Sequence, residues 1–122
     1  MPKSTLERGR AAFAYKQVSS YLKGKSEKQQ KNYRSYLKKL PAMIKTNGLG
    51  QTFAFYSSEK GAYRDIYEQI GQWLKKEHKD LFDEKTVVES IISMNSSDYR
   101  MITTEVIALT NWMRRFVDGL IN

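Results

Sequence analysis

Cysteine is absent from this 122-residue chain, which has a single histidine and only two prolines. The lack of cysteine excludes disulfides and thiolate metal sites and favours a reducing compartment, so we expect a cytoplasmic protein. No run of residues approaches the roughly 18 apolar positions that a membrane span requires, and no apolar signal core follows the N-terminus. The sequence therefore predicts a protein without membrane partners.

Residues that carry catalytic chemistry are also few. The single histidine, His78, lies in the polar run 76–80, which favours an exposed imidazole without a role. Asp80, Asp83 and Glu84 could bind Mg²⁺ in a nuclease, but acidic residues also fit the start of a helix, where they favour the macrodipole. We predict no catalytic residue, no metal site and no cofactor, and rank a magnesium nuclease as the last hypothesis.

Apolar residues recur at three- and four-residue steps through most of the chain, which predicts an all-α protein. The length fits one domain over residues 1–122, a compact bundle of five or six helices. In chain order, the predicted helices are one from a Ser4/Glu7 capping box to Gly24, one from a Ser26/Gln29 capping box to Asn47-Gly48, then 51–56, 63–77, 84–93 and a last helix capped by Ser97.

The second and the last predicted helix each have a distinguishing feature. Pro41 lies inside the second helix, where we expect a bend or a short break near Leu40, and the Asn47-Gly48 end is typical of a left-handed cap. The last helix has the longest apolar stripe and is expected to be central. Predicted core residues include Leu6, Phe13, Ala14, Val18, Tyr21, Leu22, Tyr33, Leu37, Leu40, Ile44, Ile66, Ile70, Trp73, Leu74, Val87, Val88, Ile91, Ile92, Tyr99, Ile102, Val106, Leu109, Met113, Phe116, Val117 and Leu120.

Positive charge is concentrated at one end of the chain. The formal net charge is +8, and residues 1–45 contain twelve Lys or Arg against only Glu7 and Glu27. A concentrated block of like charge opposes compaction and is usually kept for an anionic partner, although a solvated basic surface is the simpler alternative. We favour nucleic acid as that partner because the cations also align on helix faces.

Two cationic stripes follow from helical spacing. At 100° per residue, the second helix places four cations within about 60° of one another, over roughly 20 Å, if Pro41 leaves that helix broadly continuous. The first helix has a second stripe, of three cations, on the side opposite Phe13. The predicted phosphate contacts are Arg8, Lys16 and Lys23 on the first helix and Lys31, Arg34, Lys38 and Lys45 on the second.

Two further features near the stripes have alternative interpretations. The Gly48-Leu49-Gly50-Gln51 segment lacks the spacing of a P-loop, yet its amides could assist phosphate binding, with Gly48 and Gly50 as candidates; a tight turn between helices is the simpler interpretation. Tyr15 and Tyr36 flank the stripes and could stack on bases, or could simply lie at the edge of the core.

The last helix has a second, mostly neutral side away from its apolar stripe. Thr104, Ala108, Trp112 and Arg115 share this side, and Trp112 and Arg115 are candidates for contact with another protein copy. An ordinary exposed face explains the same pattern.

Several motifs resemble one protein family. The relevant segments are Arg8 and Ala12, Lys31-x-Tyr33, Leu40-Pro41-x-x-Ile44, Asn47-Gly48-Leu49-Gly50-Gln51, Ala54-Phe55, Tyr99-Arg100, Thr103, Glu105 and Trp112-x-x-Arg115-Phe116. Together they resemble the small subunit of the type III-B CRISPR effector, the Cmr complex, over nearly the whole chain.

The resemblance implies a partner and a role. Members of that family are small helical proteins without a nuclease site that stack in copies along a ribonucleoprotein filament and touch the backbone of guide and target RNA. The resemblance therefore implies four kinds of partner: other Cmr subunits, further copies of the chain, guide RNA and target RNA. It also implies a role in antiviral defence. The alternative is an assembly protein whose basic end contacts acidic protein surfaces, with RNA binding incidental.

Overall fold

The computed structural model describes residues 3–83 and 85–121, with the side chains of residues 3 and 4 left aside. Those residues form six α-helices and no strand, which confirms the predicted all-α fold. The helices are α1 (Lys3–Leu22), α2 (Glu27–Asn47), α3 (Leu49–Ser58), α4 (Ala62–Glu77), α5 (Val87–Ile92) and α6 (Ser96–Leu120).

Three helices, α2, α4 and α6, contact one another, so α6 shares the centre of the bundle with two others. The N-terminal helix α1 packs along α6, α3 packs against α2 and α4, and α5 packs on α3. Aromatic contacts join the elements: the rings of Tyr21 and Tyr33 stack at 4.1 Å between α1 and α2, and the Tyr33 hydroxyl donates to Gln69 Oε1 of α4 at 2.8 Å.

Side-chain caps set several helix ends. Ser26 and Gln29 form the predicted capping box at the start of α2. The predicted starts of the last two helices are wrong: α5 begins at Val87 with Thr86 as its cap, and α6 is capped by Asn95, whose Oδ1 accepts from the Asp98 amide at 2.8 Å. The predicted Ser4 cap lies outside the described side chains.

Of the bend or short break expected near Leu40, the break is absent, because helix α2 is continuous through Pro41. Proline removes one helical hydrogen bond and crowds the preceding turn. Leu40 and Pro41 are both buried, and the Tyr56 hydroxyl of α3 donates to the Tyr36 carbonyl at 2.6 Å. Tertiary packing on both sides of the proline therefore outweighs its local preference.

Gly48 separates α2 from α3 with φ 87° and ψ 158°. This conformation has positive φ but is not the left-handed helical cap that the sequence predicted, and it is essentially restricted to glycine. A Cβ added here would lie 3.2 Å from the Tyr99 hydroxyl. The backbone conformation therefore requires glycine at this position, and an added Cβ would also push the Tyr99 hydroxyl aside by a few tenths of an ångström.

Most of the predicted apolar stripes face the core, with two clear exceptions. Ile92 is 68% exposed because α5 ends there and turns this side chain outward, and Leu120 is 41% exposed at the last residue of α6. Helical periodicity assigns a face to a residue but does not show where the packed partner ends. The predicted core therefore included one residue too many at the C-terminal end of each of these two helices.

Replacing Gly48 by Ala is expected to destabilise the fold by about 1–3 kcal/mol, since the backbone would be strained and the new methyl group would crowd Tyr99. Urea unfolding followed by circular dichroism measures this change. Gly119→Ala is the matched control, because Gly119 lies in α6 and an added Cβ meets nothing within 4 Å. Equal stability of the two variants would contradict the assignment of strain to Gly48.

Candidate nucleic-acid interface

The exposed side of α2 forms an open groove lined with cations. Lys31, Arg34 and Lys38 of the predicted stripe line it, together with Ser35 and Lys39. Lys39 was not among the predicted stripe residues, although it stands one residue after Lys38 and one turn after Ser35. The groove holds four positive side chains on about two turns of one helix, a spacing that suits a charged backbone.

Two of the groove cations share an acidic partner on α6. Asp118 Oδ1 accepts from Arg34 Nε at 2.8 Å and lies 3.4 Å from Lys38 Nζ. All three side chains are partly exposed. Lys31 pairs with Glu27 at 3.2 Å within α2, and both of those side chains are mostly exposed. Such solvated pairs are weak, so they leave the cations available to a stronger anionic partner.

An aromatic cluster borders the groove at Lys39. The rings of Tyr36 and Tyr63 stack at 3.7 Å and 6°. The Lys39 ammonium lies 4.8 Å from the centre of the Tyr63 ring and donates to the Tyr63 hydroxyl. One face of Tyr36 is therefore covered from within the chain, which fits a residue at the core edge. Tyr15 is 49% exposed with its ring against Phe116, so it retains an accessible surface.

The remaining predicted cations lie outside this groove. Arg8, Lys16 and Lys23 are exposed on or just after α1, and Lys45 is exposed in the last turn of α2. None of these four lines the groove. The structure thus groups three of the predicted phosphate contacts in one place and leaves the other four as separate surface charges.

The amides of Gly48 and Gly50 are already engaged within the chain. Gly48 donates to the Ile44 carbonyl at 2.8 Å, and Gly50 donates to the Tyr99 hydroxyl at 2.9 Å. This corrects the expectation that these two amides assist phosphate binding. The segment acts as a tight turn between α2 and α3. The hydrogen bond from Gly50 to the Tyr99 hydroxyl joins the start of α3 to α6.

A buried carboxylate, Glu105 of α6, joins three parts of the bundle. Its side chain is 4% exposed and accepts from Arg10 of α1 through two nitrogens, Nε at 2.6 Å and Nη2 at 3.0 Å. Trp73 Nε1 of α4 donates at 2.8 Å, and His78 Nε2 lies 3.3 Å away. Two-point contact from arginine is the geometry that best satisfies a buried carboxylate.

Ionisation of Glu105 is maintained against burial. Burial alone would raise the pKa of this carboxyl, but hydrogen bonds from Arg10, Trp73 and His78 and the charge of Arg10 outweigh it, so the pKa lies below its ordinary value. The hydrogen bond to Glu105 also raises the pKa of the Arg10 guanidinium. Both partners therefore stay charged at neutral pH.

His78 is not the idle, exposed imidazole that the polar run predicted. It is half-buried and caps the end of α4, where its ring meets Glu105. The sequence did contain a signal: Glu105 lies between Ile102 and Leu109 at helical steps, so a charge falls on an apolar stripe and requires buried partners.

Trp112 and Arg115 lie on the side of α6 that faces α1. Trp112 Nε1 donates to Glu7 Oε1 at 2.6 Å, and the Trp112 ring lies 5.6 Å from that of Phe116. Both predicted interface residues line a depression of about 290 Å³ with Glu7, Ala108 and Asn111. Glu7 also accepts a hydrogen bond from Arg10 at 2.8 Å. Helix α1 therefore forms part of the wall of this depression.

The acidic segment before α5 is not a helix start. Asp80 and Asp83 precede the Thr86 cap, and Glu84 lies outside the described residues. Across residues 3–83 and 85–121, no three acidic or histidine side chains converge as metal ligands. No helix in the described part of the chain is both long and apolar enough to cross a bilayer.

The described residues form a small, basic, all-helical protein with an open cationic groove on α2. The family described as "CRISPR-associated protein (Cas_Cmr5)" matches residues 6–120, so the chain belongs to that family. The resemblance to the small subunit of the type III-B Cmr effector is thereby confirmed, and other Cmr subunits are its partners.

Two proteins of known identity are similar to the chain. A Thermus thermophilus protein named "CRISPR system Cmr subunit Cmr5" is 30% identical over 109 residues, which cover 88% of this chain and 89% of that protein. The crystal structure of a CRISPR-associated Cmr5 family protein from Thermus thermophilus superposes with a TM-score of 0.80 at 27% identity, over the full length of both chains. Sequence and fold therefore agree on the family.

Replacing Glu105 by Gln is expected to lower the free energy of unfolding by about 3 kcal/mol, because Arg10 would keep its charge but lose its buried carboxylate partner and retain, among the described residues, only the exposed Glu7. Glu59→Gln, at an exposed carboxylate directly after α3, is the matched control for the removal of one charge. Chemical unfolding at neutral pH measures both variants. Similar stability of the two would show that the buried contact contributes little.

The stabilisation from Glu105 is expected to depend on pH. Because the folded-state pKa lies below the ordinary value of 4.5, the contribution is complete above that value and is lost as pH falls through the folded-state pKa. The difference in unfolding free energy between wild type and Glu105→Gln should therefore shrink on acidification below about pH 4. A difference that stays constant or grows there would contradict the assignment.

Proposed function

We propose that the chain is the non-catalytic, RNA-binding small subunit of a type III-B CRISPR effector, and that it stacks in copies beside paired guide and target RNA. The observation that carries the RNA-binding part is the groove of α2, where Lys31, Arg34, Lys38 and Lys39 face outward together. Charge of one sign on the surface has a standing cost, which an anionic partner relieves.

The proposed contacts bind phosphate and do not read sequence. Lys31, Arg34 and Lys38 bind from the groove, and Arg8, Lys16 and Lys45 add contacts from other parts of the surface. Lysine and arginine gain affinity by releasing the counterions that condense on a nucleic-acid backbone. Such contacts fix position and leave sequence choice to base pairing between guide and target.

Contact with other protein chains is proposed for the α6 side that contains Trp112 and Arg115. A partly exposed tryptophan next to an arginine is typical of energetically important interface residues. The depression that they line lies where α1 meets α6, away from the groove lining on α2. The depression and the α2 groove share no lining residue, so contact with a neighbouring subunit at the depression leaves the α2 groove itself open to RNA.

Reversing charge at Arg34 and Lys38 tests the RNA-binding proposal. The Arg34→Glu/Lys38→Glu variant should bind single-stranded RNA more weakly, and the slope of log K against log salt should fall by about 0.7 for each phosphate that is no longer neutralised. Fluorescence anisotropy over a salt series measures both quantities.

The control for that experiment is Lys75→Glu/Lys76→Glu, which changes net charge equally on the exposed side of α4. The proposal requires this control to keep a salt slope close to that of wild type. An unchanged slope in the groove variant, or an equal decrease in both variants, would reject the groove as the phosphate site.

A further inference from the structure

Asp118 occupies an unusual position in the charged surface of the protein. Its carboxylate bridges α6 to α2 by contacting Arg34 and Lys38, two cations of the groove. One oxygen, Oδ1, makes both contacts, at 2.8 Å to Arg34 Nε and 3.4 Å to Lys38 Nζ. A phosphate oxygen bound between the same two side chains would occupy the same place.

A second group of cations lies on the other side of Asp118. A polar depression of about 460 Å³ is lined by Asn111, Arg114, Arg115 and Asp118 itself. Arg114 donates from Nη1 to Asn111 at 3.4 Å. Its Nε atom is buried and has no hydrogen-bond partner among the described residues. Asp118 therefore connects the α2 groove to an arginine-lined depression on α6.

We propose that Asp118 is an internal counter-ion that holds the place of a backbone phosphate in the free protein, and that bound RNA displaces it. This inference rests on the proposed RNA-binding function. With Asp118 displaced, the phosphate-binding surface continues from Arg34 and Lys38 across the α2–α6 boundary to Arg114. Asp118 thus sets the affinity of the groove by competing with phosphate for the same donors.

The energetics favour such an exchange. The pairs made by Asp118 are partly exposed, and pairs of this kind contribute little to stability. A backbone phosphate offers the same single charge on two non-bridging oxygens, and arginine can bind it through two parallel hydrogen bonds. The displaced carboxylate is already part-exposed and returns to water at low cost.

Asp118→Asn tests the inference directly. The variant should bind single-stranded RNA about two- to five-fold more tightly than wild type at fixed salt, since the competing charge is removed. Glu68→Gln is the matched control, because Glu68 also pairs with an arginine on the surface but lies on α4 away from the groove. A gain in affinity no larger than that of this control would mean that the change in net charge alone explains the effect, and it would overturn the inference. Weaker binding by Asp118→Asn would also overturn it, since Asp118 would then be positioning Arg34.

Arg114→Gln tests the extension of the surface onto α6. This variant should weaken RNA binding and lower the salt slope by about 0.7, the value expected when one phosphate is no longer neutralised. An unchanged slope would overturn the part of the inference that concerns α6. Failure of the proposed function itself has a different signature: the Arg34→Glu/Lys38→Glu variant would then bind RNA as wild type does, whatever the result at Asp118.

Discussion

Glu105 places a negative charge in the interior of the bundle, where burial opposes ionisation and only specific donors make the charge tolerable. Arg10 supplies two of these donors and Trp73 supplies a third, and His78 Nε2 lies 3.3 Å from the carboxylate. Arg10 lies on α1, Trp73 lies on α4 and His78 caps the end of α4, so a single carboxylate fixes both helices against α6. Apolar packing favours compaction in many arrangements, whereas this contact is satisfied in one arrangement.

The surface proposed to bind RNA depends on that arrangement. Once α6 is fixed, Asp118 near its C-terminus meets Arg34 and Lys38 of α2, and the Trp112 side of α6 meets Glu7 of α1. Helix α2 can then present its cations outward because its opposite side, with Tyr33, Leu37 and Ile44, is buried. In the proposed assembly, stacked copies would each add a few weak phosphate contacts, and their combined strength would exceed that of any one copy.

Local patterns were sufficient for part of this structure. Apolar periodicity predicted six helical segments, and the Ser26/Gln29 capping box located the start of α2 to the residue, since that signal lies within four residues of sequence. Three of the four predicted α2 cations, Lys31, Arg34 and Lys38, line one groove because spacing on one helix fixes their relative positions. Lys45 lies outside the groove, and Lys39 was not predicted. The motifs that resembled a family added its identity, which no local pattern contains.

Contacts between distant residues could not be predicted in this way. Asp118 is 84 positions from Arg34, and Glu105 is 95 positions from Arg10, so helical spacing does not show which residues pair, although it does place the Glu105 charge on an apolar stripe. His78 was misjudged because its partner lies on another helix, and Pro41 because packing from α3 offsets its local preference.

RNA cross-linking in the assembled effector complex, with the labelled residues mapped, tests most directly whether this chain binds RNA through α2. We expect labels on this chain in the α2 groove, around Lys31, Lys38 and Lys39. Labels on partner subunits alone, with none on this chain, would contradict RNA binding by the groove and favour a pure assembly role.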